Sequence, residues 1–380
     1  MAFTGKATYD AGSTFPELAE DVSELVGIIS PYDTPLLDAI GNSPYPAQST
    51  HHEWLEDQLL PNTDLIASGT YTSSSTKITV THPTYFRVGD LIQIENDEEV
   101  MQVTAVNTSD IDVVRGYGST NAGTALAAQA KIIIIGHSAL EGEDASTAAY
   151  ENRVRKSNYT QIFTETVMIS GTQNAVKLQG IDAEFDYQLQ NRLRELLRSL
   201  EQTVISGFKA SSDPYGSDSV RRTMGGILEF ISGSNAVVAD ASAAALTEDI
   251  LNNQLKALWE KGGSPNAIVV NGFQKRKISG FAGTRQYEPE DKTFRNVIEY
   301  YESDFGLQRV ILSRWVPQDK VLLLDLRKIR VLPLQNRSFH VKSLSESGDY
   351  RKAQLIGEYT LEILNAGEGG HGYIKNCATS

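Results

Sequence analysis

The sequence predicts an α+β protein organised around one long helix, and three observations carry that prediction. The first is the stretch from Gly180 to Gly207, which has no Gly or Pro inside it. Ile181, Phe185, Leu189, Leu193, Leu196, Leu200 and Val204 recur there at steps of three and four, the apolar stripe of an amphipathic helix. Asp182, Glu184 and Asp186 crowd its first turns and Arg192, Arg194 and Arg198 its second half, the charge order a helix dipole favours. The second is a Thr-, Ser-, Val- and Ile-rich run of short strand signals between Thr70 and Gly136. The third is a mixed helix and strand pattern from Ala241 onward. A chain of 380 residues has the length for two or three domains and a sizeable core.

Ahead of the long helix, Pro16 with Leu18, Val22, Leu25, Val26 and Ile29 predicts a first helix. SPYDTPLLDAIG predicts a second, with Thr34 as N-cap, Pro35 at the first helical position, Asp38 reaching back and Gly41 as the stop. Residues 44–64, with the run HHEWLEDQLL, read as an extended arm. Strands are predicted at Lys77–Val80, Asp90–Glu95, Glu99–Val106, Ile111–Arg115 and Lys131–Ile135, separated by Gly- and Asp-containing turns. They make a small β-domain inserted into something larger. NYTQIFTETVMISG reads as a long strand that pairs with the arm before the insert, giving a hairpin with the β-domain at its tip.

After the long helix, Thr247 caps a helix that runs to Lys261 and stops at Gly262-Gly263. A strand at Ala267–Val270, a helix around Phe273–Ser279, and strands near Val297–Tyr301, Gln308–Leu312 and Val321–Asp325 follow, with a charged loop at 283–292 between them. RKAQLIGEYTLEIL places Leu355, Tyr359, Leu361 and Ile363 on one face and Gln354, Glu358, Thr360 and Glu362 on the other, a half-exposed strand.

Composition narrows the function classes. Hydrophobic residues make up 40% and charged residues 22%, the balance of a folded globular chain. No stretch reaches membrane-spanning length, and the first residues lack a signal-peptide pattern. One cysteine, Cys377, excludes an internal disulfide framework and a cysteine-built zinc site, and fits synthesis in a reducing cytoplasm. A net charge of −14 argues against gripping phosphate backbones as the main task.

Each constellation that might carry chemistry has a plainer reading. His51-His52-Glu53 with Glu56 and Asp57 is the best metal candidate, but adjacent His side chains do not converge as HExxH does, and a solvated strand is favoured. Gly116-Tyr-Gly118 lacks the third Gly and the following helix of a dinucleotide loop, so it reads as a turn. Asn96-Asp97-Glu98-Glu99 lacks calcium-loop spacing and reads as a hairpin turn with its charges in water. Acids at 182, 184 and 186 point to different faces of a helix. Arg153, Arg155 and Lys156 near Tyr150 and Tyr159 form a weak nucleic-acid patch, for which an acidic partner surface is an equally good destination. His82, His137, His340 and His371 have no nucleophile motif around them. No catalytic residue, cofactor-binding residue or metal ligand is nominated.

The order of parts resembles the tailed-bacteriophage major capsid protein, a fold shared by herpesvirus capsids and encapsulins. ISPYDTPLLDAIG, NYTQIF and GEYTLEILNAGEGGHGYI are the most specific stretches. Together with VGDLIQI, EEVMQVTAV and VVRGYGST, they are similar to a subgroup carrying a β-domain in the extended loop. The resemblance implies an N-terminal arm with short helices at 1–43 and an extended-loop hairpin at 44–64 and 137–170. It further implies an inserted β-domain at 65–136, a peripheral domain at 171–224 and 326–380 with a spine helix at 181–206, and an axial domain at 225–325. It implies no enzyme and no cofactor, but self-assembly as hexamers and pentamers into an icosahedral head enclosing double-stranded DNA without sequence-specific binding. Separate scaffolding, portal and decoration proteins are the implied further partners, with no membrane; the implied location is the virion, assembled in the host bacterial cytoplasm. Residues 44–64 contain no Lys, so the covalent crosslink known in some relatives is not expected. An encapsulin-like cargo shell and a hydrolase with an accessory β-domain are the alternatives.

Overall fold

The computed structural model describes residues 32–41, 43–95, 97–122, 125–142, 144, 150–175, 183–281, 300–345 and 348–379. The expected first helix at 16–29, the start of the long helix at 181–182, and the charged loop at 283–292 lie outside them. Two compact units emerge: Met1–Trp54 with Lys156–Ser380, and Leu55–Arg155.

The larger unit is built on two sheets and α3 (Glu184–Ser206), the long helix. Phe185, Leu196, Leu200, Val204 and Ile205 are its buried apolar positions, so the stripe read from the sequence faces the core. At 1.5 Å per residue α3 is about 35 Å long. Before it come α1 (Pro35–Ile40), β1 (His51–Glu56), β10 (Val154–Tyr159), β11 (Gln161–Ser170) and the short α2 (Gly171–Ala175). After it come α4 (Ile227–Phe230), β12 (Val237–Asp240), α5 (Glu248–Glu260), β13 (Ala267–Val270), α6 (Gly272–Phe281), β14 (Tyr300–Ser303), β15 (Gly306–Leu312) and β16 (Val321–Leu324). The chain closes with β17 (Ile329–Pro333), β18 (His340–Ser343), β19 (Tyr350–Ile363) and β20 (Gly372–Lys375).

One sheet is ordered β11-β19-β17, with β18 also on β19, all antiparallel. The other is a mixed six-stranded sheet ordered β12-β20-β16-β13-β15-β14, with β12/β20 and β13/β15 parallel. Its central strands β13 and β16 are buried on both faces, which is why they read as unbroken apolar runs. Ile268, Val270, Val321 and Leu323 meet Leu251, Leu255 and Leu258 of α5 and Ile278 of α6. Their alternates Ala267, Val269, Leu322 and Leu324 join a core shared with α3, α4 and the β19 sheet. Thr247 Oγ1 accepts from the Ile250 N–H and Gly262 turns out at φ +81°, so α5 is capped at both ends as the sequence predicts.

The smaller unit holds a six-stranded sheet, β2 (Thr63–Leu65), β9 (Lys131–His137), β5 (Asp90–Ile94), β6 (Val100–Val106), β7 (Asp110–Val114) and β4 (Lys77–Thr79). The Ile66–Val80 bridge joins its two end strands and closes the sheet into a barrel. A separate pair, β3 (Tyr71–Thr72) and β8 (Ala125–Leu126), lies beside it. Register shifts at Leu91/Ile92 and Val103/Ala105 supply the local bending that closure requires. Ile66, Ile78, Ile92, Met101, Ile111 and Ile132 fill the interior. The sequence reading missed β2, whose three residues include Asp64, too short and too polar to register as a strand.

Three expectations need correction. The strand from Asn158 is not one arm-paired strand: β10 pairs with β1, whereas β11, beyond Thr160, pairs with β19 from Gln161↔Tyr359 to Ser170↔Tyr350. β19 is not half-exposed, because Glu358, Thr360 and Glu362 are buried against polar partners described below. The turn acids do not all stay in water: Glu99 is buried in a two-pronged pair with Arg115, Nε and Nη2 each 2.6 Å from a carboxylate oxygen.

Candidate functional site

The polar cluster of the larger unit that joins β1 and β10 to β19 is the candidate functional site. Asn158, fully buried near the end of β10, donates through Nδ2 to the carbonyls of Gly225 (3.0 Å) and Leu361 (2.8 Å). Its Oδ1 accepts from the N–H of Gly225 (2.8 Å) and of Tyr159 (2.9 Å). Both donors and both acceptor positions are therefore used, joining the hairpin root, the segment before α4 and the C-terminal strand.

Thr160, the break between β10 and β11, is also fully buried. Its N–H donates to the Thr50 carbonyl (2.9 Å), its Oγ1 donates to Glu358 Oε1 (2.6 Å), and its carbonyl accepts from Arg222 Nε (2.7 Å). Arg222 also pairs with Glu358 through Nη2. Arg337 Nε lies 2.8 Å from Glu358 Oε2, an ion pair whose N–H is not aligned for a hydrogen bond. Four residues further along β19, Glu362 Oε2 meets His52 Nε2 at 2.9 Å and Oε1 accepts from Arg330 at 3.3 Å. The His52 hydrogen bond, helped by the His52 and Arg330 charges, holds the Glu362 carboxyl below the usual carboxylate range against the opposing effect of burial. Thr360 Oγ1 completes the row by donating to the Tyr159 carbonyl. The face of β19 expected in water is thus the floor of the hairpin root.

Aromatic rings close the cluster. His51 stacks on Tyr159 at 4.7 Å between centroids, Tyr215 packs edge-on to Tyr159 at 5.2 Å, and Trp54 lies 5.6 Å from Phe230. The His51-His52 pair is therefore not a solvated strand. Its rings are spent on different partners, and among the described residues no group of His, Cys, Asp and Glu could hold a metal ion. The remaining candidates resolve similarly. Arg153 pairs with Asp57 at 3.0 Å, His82 with Asp64 at 3.0 Å and His137 with Asp90 at 2.9 Å. Gly116 and Gly118 take left-handed conformations in a tight turn. His371 is buried with Nδ1 accepting from the Asp325 N–H, and burial pushes its pKa down to about 4. This cluster fixes a strand pair in place through buried hydrogen bonds and ion pairs.

The whole chain carries the same message as the cluster. A family model described as SU10 major capsid protein matches residues 3–378. The chain belongs to the SU10 major capsid protein family. The major capsid protein of Escherichia phage Phieco32 is 37% identical over 278 residues, covering 60% of this chain and 78% of that protein. Among solved structures, the capsid of cyanophage A-1(L) matches with a TM-score of 0.57 at 11% identity over 96% of this chain and 98% of that one. The capsid of an empty GTA particle gives 0.54 at 11% identity, over 98% and 99%. A chain of Mycobacterium phage Adephagia gives 0.53 at 8%, over 99% of each. The fold is that of tailed-phage capsids, and this SU10-family chain is a major head protein: a structural subunit of an icosahedral phage shell, not an enzyme.

Proposed function

We propose that this capsid protein assembles as hexamers and pentamers into the head of a tailed bacteriophage, enclosing double-stranded DNA that it does not read by sequence. Residues 171–224 and 326–380 serve as the peripheral domain, 225–325 as the axial domain, and 65–136 as the insert of an extended loop formed by 44–64 and 137–170. The observation that carries this reading is the hairpin root. A chain that projects a hairpin toward a neighbour needs its base locked, and Asn158, Thr160, Glu358 and Arg222 lock it with buried hydrogen bonds and ion pairs. Many copies held at several places each would then gain stability by avidity rather than through one strong contact. The net charge of −14 supports an inner wall along which DNA slides instead of sticking. Scaffolding, portal and decoration proteins complete the set of partners, and assembly takes place in the host cytoplasm.

The test is size-exclusion chromatography with negative-stain microscopy of the purified full chain at low and high salt. Rings or closed shells are expected, more of them as salt screens the like charges. A chain that stays monomeric throughout, even when co-produced with the other head proteins of its phage, would contradict the proposal.

A further inference from the structure

Glu201 occupies a place on α3 where the sequence pattern calls for an apolar residue. It lies four residues after Leu197 and four before the buried Ile205, and its side chain is fully buried. Among the described residues no Lys, Arg or His pairs with it. Its carboxylate instead takes three neutral donors: the N–H of Leu36 (3.4 Å) and Ser313 Oγ (3.0 Å) on Oε1, and the N–H of Leu37 (3.3 Å) on Oε2. Leu36 and Leu37 belong to the first turn of α1, whose N-cap residue Thr34 makes no side-chain cap. A spine-helix side chain therefore does the capping that α1 cannot do for itself, and it does so across 165 residues of chain.

We propose that Glu201 is a proton-operated latch on α1: the neutral carboxyl holds α1 against α3 and the Ser313 corner, and the ionised carboxylate loosens it. An isolated buried carboxylate is unfavourable unless paired with a cation or supplied with short, strong hydrogen bonds. Here the two backbone bonds are long, and no cation compensates. Burial is the main cause raising its pKa, to about 7, with Asp38 on α1 adding repulsion; the three hydrogen bonds pull the other way and only partly offset it. The other charges around the junction are occupied elsewhere. Asp33 pairs with Arg314 at 3.3 Å, its carbonyl accepts from Trp315 Nε1, and Arg194 lies over the Tyr32 ring at 5.0 Å. Arg198, a turn earlier on α3, makes no ion pair with Glu201. Protonation on Oε1 reverses the Ser313 bond, the carboxyl now donating to Ser313 Oγ and giving up the Leu36 N–H, while Oε2 still accepts from the Leu37 N–H of α1. Ionisation removes that option, and lifting α1 to admit water is the shortest route to solvation. The latch would set, within the neutral pH range, how firmly the segment leading into the N-terminus is tied to the spine helix. It does not depend on the shell reading.

Hydrogen exchange read by mass spectrometry on the full-length chain tests this, following peptides that span 33–41 and correcting for intrinsic exchange. Protection of the wild type should fall by about tenfold or more between about pH 6 and pH 8. Glu201→Gln, neutral at every pH, should show no such fall. Asp38→Asn, at an exposed position, should move the transition to lower pH and provides an independent readout if the Gln variant fails to fold. A wild-type profile that is flat, a Gln variant that keeps the transition, or an Asn variant that leaves it unmoved would each overturn the latch.

Discussion

Asn158 can make four strong hydrogen bonds and makes all four, so its removal is costly out of proportion to its size. Asn158→Ala strands the Gly225 N–H and carbonyl and the Leu361 carbonyl in a dry site, and should destabilise the larger unit by about 3 kcal/mol or more. Urea denaturation measures it, and a loss below about 1 kcal/mol would contradict the assigned role. Two of the buried acids of this unit, Glu201 and Glu362, respond to pH in opposite senses. Glu201 has a folded-state pKa raised from 4.5 to about 7. Its contribution is therefore fully present below pH 4.5 and is lost as pH rises through about 7, a loss of at most about 3 kcal/mol. Stability of Glu201→Gln relative to wild type should increase across that window. Glu362 is depressed, so its contribution is present above its unfolded value and is lost on acidification; His52→Ala should weaken that acid sensitivity. These residues were the least legible in the sequence. Glu201, Glu358 and Glu99 look like ordinary surface acids because their partners lie up to 198 residues away, and only Glu201 carried a local signal, its place between Leu197 and Ile205.

At the scale of elements, the sequence reading did well where the signal is local. The α3 stripe, the Thr247-to-Gly262 punctuation of α5, and five barrel strands follow from spacing and turn chemistry alone. It failed where pairing decides. The run from Asn158 to Ser170 reads as one strand, yet Thr160 sends β10 and β11 to different partners, and nothing within the run marks the switch. The polar face of β19 reads as solvent-facing because alternation cannot reveal that a hairpin root covers it. Close approach at the end of α3 is a further element-scale constraint. A Cβ on Gly226 would sit 2.6 Å from the Gly207 nitrogen and 2.7 Å from the Thr203 carbonyl oxygen, both backbone atoms. Gly226→Ala must push α4 away from α3, and a loss of about 2 kcal/mol is expected in the same denaturation assay. Unchanged stability would mean that the helix end and the loop can part without cost.

At the scale of the molecule, the parts and their order carried the identification, since no single motif encodes chemistry. The SU10-family match along residues 3–378 and the capsid neighbours make the chain a shell subunit, and the physics of its interior explains how one subunit can serve. In the larger unit two sheets share a core with the long helix and the end of β10 is fastened by buried polar contacts; in the smaller unit the barrel closes on its own interior. Assembly is therefore expected to need a rigid root more than any particular residue at the tip. Cryo-electron microscopy of particles assembled from the full chain is the most direct test of that claim. The account predicts closed icosahedral shells in which the Leu55–Arg155 unit of each subunit contacts a neighbour, while the Asn158–Glu358–Arg222 cluster keeps the same geometry in every quasi-equivalent position. Shells in which that cluster is broken or rearranged from one position to the next, or purified material that forms no closed particle, would contradict it.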